Sequence, residues 1–163
     1  MRLDEGLALV RQRAGEDRYL TVLVTTNGGP GADPDVAVVN AGVLPHPVTA
    51  APVVAFVGRR GRKLENLRRW GRATLVFRAG WEWVAVRGPA ELAGPDDAHP
   101  GIDAERLRVL MRDIYAAAGG HHPDLDAYDR VMAAERRCAV LVIPERIWMN
   151  PPSTAHVEPS EAT

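Results

Sequence analysis

The chain is nearly devoid of lysine. Of its 20 basic residues one is lysine, Lys63, and the rest are arginine. Cysteine is as scarce: Cys138 stands alone, so no disulfide forms within the chain. It lies in the apolar run Cys138–Ile143, where a buried strand thiol is expected. No signal-like N-terminus is present, and the cytoplasm is the expected compartment. No apolar run approaches the ~20 residues that a membrane helix requires, so no membrane partner is expected. Nor is there an excess of charge. A formal net charge of −1 excludes the dominant positive field with which a protein coats nucleic acid. Internal repeats, a Ser-His-Asp pattern and a paired-carboxylate site are all missing.

What is present describes one globular domain. A length of 163 residues, with 46% hydrophobic and 25% charged residues, is enough for a single core. We assign that domain to residues 1–150. After Asn150 the chain carries no basic residue and little to bury, so 151–163 is expected to be a disordered tail.

Asp4 to Gly15 reads as an opening helix, with Asp4 as its cap, Leu7 and Val10 on one face and Gly15 as its stop. Short β-branched runs follow: Tyr19–Thr26, Val36–Ala41, Val53–Val57, Ala73–Arg78, Trp81–Arg87 and Cys138–Ile143. They are cut at Asn27–Pro30, Leu44–Pro47, Ala79-Gly80, Gly88-Pro89 and Gly94-Pro95. Such spacing favours a closed barrel over a parallel sheet. Helical periodicity predicts helices over Arg62–Trp70, Asp103–Ala118 and Asp124–Arg137.

The densest positive cluster is residues 59–72, RRGRKLENLRRWGR. An apolar strand leads into it, Gly58 and Gly61 break the strand, and Lys63 opens a helix. Cations at a helix start are unfavourable unless an anion is present, because unpaired N–H groups and the dipole already make that end positive. The pattern therefore suits a phosphate, with arginine gripping two oxygens and lysine adding a point charge. Arg62 and Asn66 are four apart and Lys63 and Asn66 three apart, so all three are expected to face one bound group. The bland alternative is a solvated basic helix end, which is where Arg68, Arg69 and Arg72 belong. No aromatic residues alternate with these charges, so nucleic acid is not the expected partner.

At this junction "VVAFVGRRGRKLENL" resembles the phosphate site of the pyridoxamine 5′-phosphate oxidase-like flavin-binding split barrels. The branch it resembles most uses the deazaflavin coenzyme F420. The likeness runs on through "VAVVNAGVLPHPVTAAPVVAFV", "RATLVFRAGWEWVAVRGPAEL" and "YDRVMAAERRCAVLVIPERIW". It implies a mainly β fold, a six-stranded split β-barrel with flanking helices, working as a homodimer with the cofactor between the subunits. It further implies an oxidoreductase that passes a hydride between the deazaflavin and a small-molecule substrate. FMN chemistry, or non-catalytic cofactor or haem binding, are the alternatives within the fold. The family's phosphate-gripping pair falls on Arg62 and Lys63, with Asn66 as a further contact. Arg59 and Arg60 would reach the additional anionic groups of F420. Phe56, Val57 and Gly58, together with Val38, Val39 and Asn40, would pass the ring. Where the oxidase branch carries hydroxyl residues at the FMN phosphate, this chain has Val57 and Gly61. Trp83 falls near the position of a glutamine that reaches the ring from the partner subunit. Both departures point to the deazaflavin branch.

Other residues carry weaker signals. Trp81 and Trp83 flank Glu82 and belong either to strand packing or to the wall of a substrate pocket. His121 and His122 diverge in a Gly/Pro loop, without further ligand spacing, so no metal is expected. His46, in a Pro-flanked turn, is expected at the surface. Asp126, Tyr128 and Asp129 are placed on helix surface, with the mouth of a pocket as the alternative.

Overall fold

A computed structural model describes residues 1–151; the expected disordered tail lies, from residue 152 onward, outside the described residues. The elements run α1 (Leu3–Glu16), β1 (Leu20–Thr26), β2 (Pro34–Pro45), β3 (Pro52–Gly58), α2 (Arg62–Trp70), β4 (Arg72–Ala79), β5 (Glu82–Ala93), α3 (Ala104–Ala117), α4 (Leu125–Ala134), β6 (Cys138–Val142) and β7 (Arg146–Met149). The strands pair antiparallel in the order β4-β1-β2-β3-β6-β5, and β4 pairs with β5 to close the circle. The architecture is mainly β, a closed six-stranded antiparallel barrel with flanking helices.

Two long strands make the closure possible by changing partners midway. The first half of β2 pairs with β1, up to Leu20↔Asn40, and the second half with β3, from Ala41↔Phe56. Likewise β5 pairs with β4 as far as Arg72↔Pro89 and then with β6 from Ala90↔Val142. Gly88-Pro89, expected to break the chain, is thus the handover point inside β5. A Cβ on Gly88 would lie 1.7 Å from the Ile143 carbonyl oxygen, so this crossing admits only glycine.

Alternation explains the continuous apolar runs. In β6, Cys138, Val140 and Val142 point into the barrel, while Ala139 and Leu141 meet the outer layer under α3. In β3, Val54 and Phe56 point inward, and Val53, Ala55 and Val57 outward. Both faces are covered, so both positions of the period-2 repeat are apolar. Cys138 is buried as expected, and burial pushes its thiol pKa up to about 12, which leaves it unreactive.

Several boundaries differ from the sequence reading. Arg2 caps α1, its backbone N–H donating to the Glu5 carboxylate at 3.1 Å; Asp4 lies in the first turn instead. Gly15 does not stop the helix, which ends in a turn with Arg18 and Tyr19 at φ 53° and 61°. The four-residue β7 was not expected. It joins the edge of β5, where the guanidinium groups of Arg87 and Arg146 lie over the Trp148 ring, 5.2 and 5.1 Å from its centroid. His46, expected at the surface, is only 4% exposed, because its ring ties the β2–β3 turn to β5. Among the described residues no helix is long and apolar enough to cross a membrane.

Phe77 fills the barrel centre with no exposure. Phe77→Ala is expected to destabilise the fold by about 3–5 kcal/mol, read as a lower urea midpoint with the slope unchanged.

Candidate functional site

Gly61 holds the N-cap of α2 at φ 136°, a backbone region open to glycine. Glycine offers no side-chain cap, so the first amides of α2 meet none from its N-cap. Beside this helix start, on the outer wall of the barrel, opens a cavity of about 510 Å³. Val57 reaches it because β3 alternation turns Val57 outward; for the same reason Phe56 is buried in the core and can offer a ligand only its backbone. Val38, Val39 and Asn40 contribute from β2, and Arg59 and Lys63 from the β3–α2 junction. The opposite wall comes from the α3–α4 link and its flanks: Tyr115, Gly119, Gly120 and Tyr128.

The cavity is cationic. Arg18, Arg59, Lys63 and Arg137 line it, and no carboxylate does. Arg137 donates to Glu135 at 2.6 Å. Among the described residues Arg18, Arg59 and Lys63 have no ion-pair partner. Three unneutralised cations beside an uncapped helix start give the cavity a positive character, the chemistry that attracts anionic groups. Around them lies apolar and aromatic surface from Val38, Val57, Ile114 and the two tyrosines, which suits a planar ring attached to an anion.

The expected site residues divide between two grooves. Val38, Asn40, Val57, Arg59 and Lys63 meet in the cavity. Arg62 and Asn66 face a neighbouring groove with Asn27, Glu65 and Arg69. There the buried Asn66 amide donates to Thr25 Oγ1 at 3.1 Å and to Asp35 Oδ2 at 2.8 Å, and Arg62 lies 3.4 Å from Asp35 Oδ1. Residues four apart share a helix stripe, whereas Lys63 is rotated about 100° from Arg62. Asp35 collects the first pair, and Lys63 is left to the cavity. Arg60 is exposed on the side of Asp96, and Gly58 is buried beneath α2.

Some residues came without a sequence signal. Arg18 enters from the α1–β1 turn, whose backbone is strained at two consecutive non-glycine residues and whose carbonyl at Arg18 accepts from the Asn40 amide at 3.3 Å. Tyr128, for which helix surface was favoured over a pocket mouth, is buried and lies at the cavity. Its hydroxyl donates to the Met111 carbonyl at 3.1 Å, and burial pushes its pKa up to about 12. It lines the cavity as an aromatic wall and not as a proton donor. Asp126 and Asp129 hold Arg112 and Arg108 instead. Trp81 is 96% exposed at the β4–β5 turn, and Trp83 lines a separate small cleft, its backbone N–H donating to Asn150 Oδ1 at 3.0 Å.

One further cluster joins His46, Glu91 and His99. Both Nε2 atoms meet Glu91 Oε2, at 3.0 and 2.8 Å. His46 Nδ1 accepts from the Val48 and Thr49 amides, and His99 Nδ1 from the Gly101 amide. A neutral ring accepting at Nδ1 carries its proton on Nε2, so both rings donate to Glu91. The Nε2 lone pairs a cation would need are occupied by protons. The cluster is a clasp between two loops and β5.

Comparison with known proteins adds the fold. No family model and no curated protein matches the chain. Among solved structures, a conserved hypothetical protein of Mycobacterium tuberculosis is similar at a TM-score of 0.61 and 17% identity, over 91% of this chain and 84% of the other. A pyridoxamine 5′-phosphate oxidase-related, FMN-binding protein of Nostoc punctiforme has a TM-score of 0.59 and 16% identity, over 90% and 81%. The haem-storage protein of Vibrio cholerae has 0.52 and 13%, over 91% and 94%. At these identities the likeness concerns the fold: the barrel is a split barrel of the pyridoxamine 5′-phosphate oxidase-like kind.

The carboxylates that fasten the loops and helices share one bias. A hydrogen bond from Arg68 lowers the pKa of Asp97, and one from Arg112, then Arg108, lowers that of Asp129. Burial alone would raise Glu91, but the hydrogen bonds from His99 and His46 outweigh it and hold Glu91 low. Folded values below unfolded ones mean that the stabilisation is complete above the unfolded pKa, about 4, and is lost as pH falls through the folded values. Thermal midpoints should therefore be flat near neutrality and drop below about pH 4. Asp129→Asn should shrink that acid limb, and an unaltered limb would dismiss Asp129 as a contributor.

Proposed function

We propose that the chain is an oxidoreductase that uses the deazaflavin coenzyme F420 to reduce a small organic molecule. The observation that carries this reading is the single cavity in which Arg18, Arg59 and Lys63 stand unneutralised beside an apolar, aromatic wall on a split barrel. A cofactor with a planar ring and several anionic groups fits that division of chemistry. Lys63 and Arg59 would hold the phosphate at the start of α2, and Arg18 the further acidic groups. Val38, Val57 and the backbone of Phe56–Gly58 would lie along the ring. When bound, the reduced deazaflavin supplies a hydride. The protein's share is to bind, to orient and to exclude water, and the engaged tyrosine hydroxyls agree with the lack of a dedicated acid or base. Arg62 remains in this reading an outer contact that must leave Asp35 to reach a phosphate.

FMN is the second reading, supported by the similarity to an FMN-binding split barrel. Three unpaired cations exceed what one phosphate monoester needs, which favours the more anionic deazaflavin. Haem binding is supported less: the cavity wall contains no histidine or cysteine to ligate iron, Met132 being its one thioether, and its tyrosine hydroxyls donate to the carbonyls of Met111 and His121.

The same reading includes a homodimer. On the outward face of β1 and β2, Val22 opposes Val38 and Val24 opposes Val36. Val36 and Val38 are 68% and 64% exposed, and Leu20 continues the patch. A contiguous apolar sheet face of this kind marks an association surface. Val38 belongs to both patch and cavity, so a second copy there would border the cofactor.

Titration of the purified protein with F420 and with FMN, followed by fluorescence, tests the cofactor. Saturable F420 binding is expected, and Lys63→Ala should weaken it by about 1.5–3 kcal/mol, roughly 10- to 150-fold. Tight FMN binding with no F420 response would replace the first reading by the second. For the dimer, light scattering on the eluting protein should give twice the chain mass, and the Val36→Glu, Val38→Glu double variant should run as a monomer. A monomeric wild type would refute the interface.

A further inference from the structure

A second cavity adjoins the first, on the other side of α4. It is a trough of about 610 Å³, walled by the β5–α3 connection, α3 and α4. Pro95, Ala98, Ile102, Leu107, Met111 and Met132 give it an apolar surface. Its volume falls within the range of small-molecule pockets, about 300–1,000 Å³. The two methionines supply a soft lining that accommodates varied shapes.

The charges at its rim are largely engaged with one another. Arg108 bonds Glu105 and Asp129, Asp97 holds Arg68, and Arg137 is on Glu135. Asp103 accepts from the Arg106 amide as the cap of α3. Arg130 stands at the edge, turned to solvent. Among the described residues no buried side-chain polar atom lacks a hydrogen bond. A charged or strongly polar ligand would therefore find few free partners in the trough and would lose its own hydration. Electrostatic complementarity selects a neutral occupant, as the lining selects an apolar one.

We propose that this trough is a second ligand site, which takes a neutral, apolar small molecule. Met132 and Arg137 line both cavities, so its occupant lies one side chain away from whatever the cationic cavity holds. The site stands on its own geometry and does not require a cofactor in that cavity.

The test uses Nile red, a neutral dye whose emission moves to the blue in apolar surroundings, titrated into the full chain. One dye per chain should bind saturably with a blue shift. Ala133→Glu sets a carboxylate on the exposed flank of α4 that lines the trough. It should lower dye affinity about tenfold or more while leaving the unfolding midpoint unchanged. Ala98→Glu, on the facing connection, is the second variant should the first fail to fold, and the same loss is expected. No saturable shift, or wild-type affinity in the folded variants, overturns the proposal. A blue shift that fades as rising protein concentration drives dimerisation would assign the trough to a second copy of the chain and overturn it equally.

Discussion

The cationic cavity depends on β3 being covered on both faces. Phe56 and Val54 point into the barrel core, while Val57, Ala55 and Val53 point to the layer under α3. That double burial fixes the register of β3 firmly, since a slip by one residue would exchange the two sets. It thereby fixes where the strand ends, where Gly61 turns the chain, and on which side of α2 Lys63 emerges. The same constraint brings α3 against the barrel through Ile114 and Leu110, and so brings Tyr115 and the Gly119-Gly120 link over the outward face. A site assembled from β2, β3, α2 and the α3–α4 link has its geometry set by packing that no ligand needs to supply.

Within that frame electrostatics sorts the cluster at residues 59–72. Arg68 is held by Asp97 at 2.7 Å, Arg62 faces Asp35, and Arg72 pairs with Glu145. Each of these cations has a carboxylate close by, and surface pairs of this kind contribute little stability. What they achieve is neutralisation. After this sorting, Arg59 and Lys63 face the cavity with Arg18. Three cations without an ion pair among the described residues thus share one cavity, although the chain as a whole is near neutral.

The barrel was legible because its sequence reads as β-branched runs punctuated by turn residues, and α2 was legible to the residue because Leu64 and Leu67 stand among charges. The fourth turn signal misled: Gly88-Pro89 marks a change of strand partner, and a turn and a handover share the same residues. β7 has four residues, and of its two half-buried side chains, Ile147 and Trp148, only Ile147 packs on the core, too little for periodicity to register. At the site, strand alternation delivers Val38, Asn40 and Val57. Arg18 and Arg137 were hidden because they arrive from elements remote in sequence, and the paired left-handed residues at Arg18 and Tyr19 leave no trace in composition; Tyr128 was legible only as the less favoured alternative, a residue at a pocket mouth. Asp35 was the decisive omission, since a carboxylate 27 residues from Arg62 divides a cluster that reads as one.

The helix that joins the two cavities, α4, is lightly fastened. Tyr128 is the only residue of α4 that is buried. Beyond it the helix is held by Asp126 and Asp129 on Arg112 and Arg108, and by the Tyr115–Tyr128 ring contact at 4.8 Å. Elements anchored by few apolar contacts and by exposed ion pairs open at a lower free energy than a core strand does. Met132 and Arg137, at and just beyond the end of α4, line the cationic cavity and the apolar trough alike. A shift of α4 against α3 therefore alters both walls at once. The cationic wall stands on the doubly covered β3 and on α2, whereas the wall shared with the apolar trough stands on the more lightly packed α4.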